Sequence, residues 1–133
     1  MANVTGQTGT HSTWQATPQF GQMNELMRRC IEECLSCFGI CEQTLAHCLK
    51  QGGKHVEEEH LKLLVDCAES CRMSAAMMSR ESQFHQRHCA MCAEICKACE
   101  ESCEEFGDAP QMKACADACR SCFEACRQMG ANA

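Results

Sequence analysis

Apolar residues recur along this 133-residue chain in steps of three and four, and cysteine is the residue that fills most of those steps. Successive cysteines of one run are Cys89, Cys92, Cys96, Cys99 and Cys103. Intervals of three and four return to the same face of an α-helix. The pattern therefore predicts helices whose inward stripe is largely made of thiols.

The spacing and its interruptions predict four helices, at residues 22–50, 56–83, 84–106 and 110–129. Gly52 and Gly53 are expected to end the first, because glycine adopts the left-handed backbone found just past a helix end. Asp108 is a candidate cap for the fourth helix, and Pro110 fits its first turn. Neither Gly nor Pro separates the second helix from the third. A hairpin is predicted there because it buries more of the stripe than one long bent helix.

The four inward stripes differ in composition. The first is predicted to contain Met23, Met27, Cys30, Cys34, Cys37, Cys41, Leu45 and Cys48. The second contains His60, Leu64, Cys67, Cys71, Ser74 and Met78. The third consists of the five cysteines from Cys89 to Cys103, and the fourth of Met112, Cys115, Cys119, Cys122, Cys126 and Met129. The second stripe is therefore the poorest in thiols.

Four helices of roughly 20–29 residues with short connections favour an all-α fold, an antiparallel up-down-up-down four-helix bundle with a Cys-lined core. Residues 1–20 are expected to form a short, flexible N-terminal arm that Trp14 and Phe20 dock onto the bundle. The bundle domain is predicted to occupy residues 21–133.

Composition supports a sulfur-rich interior. The chain has 16 Cys but only five Phe, one Trp and no Tyr, so cysteines must supply core volume. A formal net charge of −6 argues against a nucleic-acid partner or an anionic membrane partner. Neither a secretory leader nor a membrane-spanning run is recognisable. Taken as complete, the chain is expected to be cytoplasmic, where thiols stay reduced.

Disulfides fit this spacing poorly. Within one helix, Cβ atoms at i and i+4 lie about 5–6 Å apart, whereas a disulfide requires roughly 3.5–4.5 Å. Disulfides between helices are geometrically possible, but a reducing cytosol opposes them. Zinc or an iron–sulfur cluster is an alternative, with about one metal per four thiols, although the C-x2-C pairs lie within continuous helices. A thiol redox protein would need an exposed cysteine of low pKa near a helix N-terminus. A structural module with incidental thiols would bind no metal.

Copper(I) suits the pattern better because it is soft and accepts few ligands. The C-x3-C pairs that can reach one ion from one helix are Cys30/Cys34, Cys37/Cys41, Cys67/Cys71, Cys92/Cys96, Cys99/Cys103, Cys115/Cys119 and Cys122/Cys126. If each ion takes two sulfurs and each sulfur bridges two ions, the filled core is neutral and holds about 16 Cu(I) per chain. Such a quantity indicates storage rather than an enzyme.

A bundle with inward C-x3-C-x2-C-x3-C stripes resembles the bacterial copper storage proteins, over about residues 22–129. Without a recognisable leader, the chain resembles their cytosolic branch. The resemblance implies Cu(I) held by the C-x3-C pairs, with Cys48 and Cys89 as further core thiols. It also implies a homotetramer and a metal-admitting mouth lined by His or Met. A copper chaperone or chelator is the partner expected besides copper. Ser74 and Met78, where further thiols could sit, depart from complete filling.

The resemblance places the mouth at the end with the loop between the first two helices. His60 and Met112 lie on inward stripes there and are the candidate mouth ligands, and His47 lies beside the stripe. His55 is expected to be solvated in the loop. The residues expected at the opposite end are Met23, Met27, Met77, Met78, His85, His88 and Met129. Because Cu(I) also accepts thioether and imidazole ligands, the residues alone leave either end open as the mouth. Met23, Met27, Met78 and Met129 are expected to act as hydrophobic plugs, and His85 and His88 as surface or capping groups.

Overall fold

A computed structural model describes residues 14–17 and 23–131 of the chain. Within them lie four α-helices: α1 (Glu25–Gln51), α2 (Glu58–Ser79), α3 (His85–Glu104) and α4 (Pro110–Met129), with a short 3-10 helix, Gly53–Val56, between α1 and α2. Each helix packs against its neighbours in sequence, and α4 closes the ring onto α1. The predicted all-α four-helix bundle is confirmed. No helix of the described part of the chain is both long and apolar enough to span a bilayer.

The helix bounds differ from the predicted ones by a few residues. The start of α1 is fixed by Asn24, whose Oδ1 accepts hydrogen bonds from the backbone N–H of Leu26 (2.7 Å) and Met27 (3.4 Å). Side-chain caps of this kind satisfy N–H groups that have no partner within the helix. The helix ends where predicted, since Gly52 and Gly53 have φ values of 71° and 57°.

The connection between α2 and α3 is the predicted hairpin, built without Gly or Pro. The helix stops at Ser79. Glu81 adopts a φ of 54°, a left-handed conformation that is uncommon for a residue with a side chain. Ser82 Oγ then accepts a hydrogen bond from the backbone N–H of Phe84 at 3.1 Å. A side-chain hydrogen bond therefore stabilises the turn. The second helix ends at Ser79, four residues before its predicted end at residue 83.

The start of α4 corrects one prediction. Ala109, and not Asp108, occupies the cap position, and no side chain caps this helix. Pro110 takes the first helical position as predicted, where its missing N–H has no intrahelical partner to lose. Of the N-terminal residues, Trp14 packs against the bundle core. Phe20 and the rest of the predicted arm lie outside the described residues.

Substitution by alanine is expected to have opposite effects on stability at two of the glycines. Gly39 lies within α1, and a Cβ there would meet nothing within 4 Å. We expect Gly39→Ala to raise the free energy of unfolding by about 0.5–1 kcal/mol, because alanine loses less backbone entropy in a helix. At Gly130 a Cβ would lie 2.6 Å from the backbone nitrogen of Ala90 and 2.8 Å from its Cα.

Gly130→Ala must push the end of α4 away from α3, and we expect it to cost about 1–3 kcal/mol. Urea unfolding of the reduced protein without metal, followed by circular dichroism, measures both changes. Equal effects of the two substitutions would contradict the close approach of α4 to α3 at Ala90.

Candidate metal centre

All sixteen cysteines face the interior of the bundle. Each has a relative exposure of 0%, and each is a free thiol. They are Cys30, Cys34, Cys37, Cys41, Cys48, Cys67, Cys71, Cys89, Cys92, Cys96, Cys99, Cys103, Cys115, Cys119, Cys122 and Cys126. The inward stripes predicted from the three–four spacing are therefore confirmed for every cysteine.

One position of the first stripe was predicted wrongly. Thr44 is fully buried between Cys41 and Cys48, while Leu45 is only half-buried. The Thr44 hydroxyl donates to the carbonyl of Ile40 at 2.8 Å and accepts from Gln111 Nε2 at 2.9 Å. Because both hydrogen bonds are made, the hydroxyl is tolerated in the interior.

Sulfur atoms of different helices are in direct contact across the core. Cys122 Sγ of α4 lies 3.7 Å from Cys34 Sγ of α1 and 3.6 Å from Cys71 Sγ of α2. Cys67 Sγ of α2 lies 3.8 Å from Cys96 Sγ of α3. A covalent S–S bond is about 2.05 Å, so these are contacts between separate thiols. One ion could therefore be shared between helices.

The thiols form overlapping groups whose sulfurs all lie within 4.8 Å of one another. In order along the bundle they are Cys30/Cys89/Cys126, Cys34/Cys92/Cys122/Cys126, Cys37/Cys71/Cys96/Cys122, Cys37/Cys41/Cys67/Cys119 and Cys41/Cys99/Cys115/Cys119. Each group shares at least one cysteine with the next. Among the described residues, no more than two of the four-thiol groups can be chosen without using a sulfur twice. The arrangement is a continuous row of thiols and not a set of separate sites.

A mixed cluster, which we call the loop-end cluster, lies at the end of the bundle near the 3-10 helix. It comprises Cys48, His60 and Met112, all three on inward stripes. Cys48 Sγ is 3.5 Å from His60 Nε2 and 3.9 Å from Met112 Sδ. A hydrogen bond of 2.7 Å joins His60 Nδ1 to Ser102 Oγ and orients the imidazole. Ser102 had no signal in the sequence, because it lies off the cysteine stripe of α3.

Burial sets the protonation of this cluster. It lowers the pKa of His60 below its ordinary value of 6.5, so the imidazole is neutral at pH 7 and Nε2 can act as a ligand. Burial, followed by the negative charge that Cys115 and Cys99 carry when ionised, raises the pKa of Cys48 to about 11. Cys48 is therefore a thiol at neutral pH, and a metal bound there must displace its proton.

Two more histidines lie outside the loop-end cluster. The rings of His47 and His55 have centroids 5.6 Å apart, and His55 lies 4.4 Å from the ring of Phe106. Phe106 also packs against His60 at 4.8 Å. His47 is thus near the cluster but is not brought into it. His55 is half-buried against Phe106, which corrects the prediction that it is simply solvated.

The far end of the bundle, beyond Cys30, Cys89 and Cys126, is closed by methionine. Met78 has an exposure of 0% and Met129 of 6%. The histidines near this end bond to backbone carbonyls: His85 Nδ1 to that of Ser82 at 2.7 Å, and His88 Nε2 to that of Ser70 at 3.0 Å. Both rings are therefore engaged outside the thiol row, as expected of surface or capping groups.

The sequence matches the family model of the copper storage proteins over residues 23–131. The chain belongs to the copper storage protein family. A solved structure from Nitrosospira multiformis is 42% identical, with a TM-score of 0.76, and the alignment covers 80% of this chain and 96% of the other. Family membership accounts for the bundle and for the thiol-lined interior together.

Two further members of the family have been solved with copper. The Cu(I)-bound copper storage protein BsCsp3 of Bacillus subtilis is 34% identical, with a TM-score of 0.74 over 80% of this chain and 99% of its own. A cytosolic copper storage protein of Streptomyces lividans, with five coppers, is 34% identical, with a TM-score of 0.73 over 82% of this chain and 95% of its own.

Proposed function

We propose that this protein stores Cu(I) in the cytosol, with its sixteen cysteine thiolates as the ligands. The observation that carries the proposal is the continuous row of fully buried thiols in which neighbouring groups share sulfurs. Shared sulfurs suit a metal that accepts two or three ligands and lets thiolates bridge. The copper-bound relatives in Bacillus and Streptomyces support the same choice of metal.

Zinc fits this row less well. Four-coordinate sites need four thiolates each, and at most two such groups exist here without a shared cysteine among the described residues. A divalent ion at one per sulfur would also leave a large positive charge in a buried core. Cu(I) at one per thiolate leaves none. The protein would therefore hold about 16 Cu(I), which is a storage quantity.

Storage also suits the thiols better than catalysis does. A redox cysteine must be reachable and must have a depressed pKa. Here every thiol has 0% exposure. We propose no catalytic residue, and we expect release to a copper chaperone or a small chelator. A homotetramer is the expected assembly by analogy with the family.

We further propose that copper enters at the loop end. Cys48, His60 and Met112 offer one thiol, one neutral imidazole and one thioether, all ligands that Cu(I) accepts. From Cys48 an ion would pass to the thiol row. His47 would act, at most, as an outer contact before this cluster. The methionines of the far end would close the bundle.

Anaerobic titration of the reduced protein with Cu(I), against a chromophoric chelator, tests the proposed function. We expect the chelator to remain metal-free until about 16 equivalents have been added, with about one proton released per ion. Zn(II) added to a parallel sample should saturate at about two equivalents, because at most two of the four-thiol groups among the described residues can be filled without sharing a cysteine. A Cu(I) end point near four, or a Zn(II) capacity near four with no further Cu(I) uptake, would overturn the proposal.

A further inference from the structure

The inward stripe of α2 contains one hydroxyl without a partner. Ser74 is 0% exposed, and its Oγ makes no hydrogen bond. Among residues 14–17 and 23–131, the other fully buried hydroxyl is that of Thr44, which bonds to Ile40 and Gln111. An unsatisfied buried hydroxyl is costly, so its place in the thiol core calls for a physical reason.

Ser74 lies at the level of the two thiol groups of the far end. Cys71, three residues earlier on α2, has its Sγ 3.8 Å from Cys92 Sγ and 3.6 Å from Cys122 Sγ. Three residues of helix rise about 4.5 Å, which carries Ser74 one step further from the loop end. The thiol groups at that level are Cys34/Cys92/Cys122/Cys126 and Cys30/Cys89/Cys126.

Neither far-end group contains a cysteine of α2. Their members come from α1, α3 and α4 alone, whereas Cys67 and Cys71 of α2 belong to groups nearer the loop end. Beyond Cys71, Ser74 is the buried polar residue that α2 places at the level of the far-end groups. A hydroxyl oxygen is a hard ligand and a poor one for Cu(I), so direct coordination does not account for it.

We propose that Ser74 is a positioning residue that donates a hydrogen bond to a thiolate of the far-end groups once they hold copper. The inference rests on the proposed function. A neutral thiol sulfur is a weak acceptor, so the hydroxyl gains little in the empty core. Copper replaces the thiol proton and leaves a thiolate, to which an O–H bond is charge-assisted and stronger. Ser74 thus disfavours the empty core and favours the filled one.

Ser74→Ala tests this inference because it should stabilise the metal-free protein but weaken the retention of copper by the loaded protein. Removing the unsatisfied hydroxyl should raise the melting temperature of the metal-free protein by about 2–6 °C. In the loaded protein, the copper held by the far-end groups, which contain six of the sixteen cysteines, should pass to a competing chelator at roughly tenfold lower chelator concentration. A merely structural serine would not give both results.

Ser70→Ala is the matched control, one helical turn earlier on α2. Ser70 Oγ lies 3.4 Å from His88 Nε2, outside the thiol row, so this change should leave copper retention unaltered. Ser74→Cys checks the placement separately and should raise the Cu(I) capacity to about 17.

The inference is overturned if Ser74→Ala destabilises the metal-free protein, if it leaves copper retention unchanged, or if Ser74→Cys adds no capacity. A wild-type capacity near 16 combined with any of these results rejects the role of Ser74 alone. A wild-type capacity far below 16 rejects the proposed function instead.

Discussion

Filling the core with Cu(I) is expected to move thermal unfolding beyond about 95 °C. The metal-free core is held by contacts between small thiols, while each bound ion would join sulfurs from different helices. Ligand present at 100 times its dissociation constant stabilises a folded state by about 2.7 kcal/mol per site. Six such sites would together add about 16 kcal/mol, which exceeds the roughly 5–15 kcal/mol that separates typical folded and unfolded domains.

Anaerobic circular dichroism melts of the protein with zero, four, eight and sixteen equivalents of Cu(I) measure this effect. The melting temperature should rise at each step, because every addition cross-links more of the bundle. Cysteines of the unfolded chain also bind copper and will reduce the gain without abolishing it. A loaded protein that melts at the temperature of the metal-free one would mean that the copper is bound outside the core.

Replacing Met112 by leucine is expected to slow copper uptake at the loop end roughly tenfold. The change removes the thioether but nearly preserves volume, so packing should suffer little. Met78→Leu is a matched control, because both methionines have 0% exposure and lie near opposite ends of the bundle. Stopped-flow transfer of Cu(I) from a coloured chelate measures the rate, and the final capacity should stay near 16 in both variants.

The two methionine variants also decide which end admits the metal. Slower uptake in Met78→Leu, with Met112→Leu unchanged, would place the opening at the far end. His60→Gln adds a second probe of the loop end, because glutamine can still hydrogen-bond Ser102 but offers no imidazole. It should slow uptake in the same way as Met112→Leu if the loop-end cluster receives the ion.

The sequence predicted the metal site well where one residue type, cysteine, defined the inward face of a helix. Cysteine at steps of three and four located every inward thiol and brought His60 and Met112 to the same end. The step from Cys41 to Cys48 is seven, which can be divided as three plus four or as four plus three. The apolar residue Leu45 suggested the second division. The fold uses Thr44, because Gln111 on α4 supplies its hydroxyl with a partner.

Other features depend on contacts between distant parts of the chain. The turn after α2 depends on the left-handed conformation of Glu81 and on the side chain of Ser82. Because this segment contains neither Gly nor Pro, the sequence carries no strong turn signal there. Ser102 orients His60 from another helix, and His55 is covered by Phe106. Helical periodicity specifies which face of a helix is inward, but not which residue of the next helix lies opposite.

Because the thiols are completely buried, they can be chemically modified in the metal-free protein only when the bundle opens. Alkylating agents and peroxides attack sulfur quickly when they can reach it, yet no cysteine here has any exposed surface. The rate of thiol modification is then limited by transient opening of the bundle. The lifetime of an unfilled molecule in an oxidising cell would follow its unfolding equilibrium, and a single modified sulfur, too bulky to be repacked, would keep the bundle from closing again.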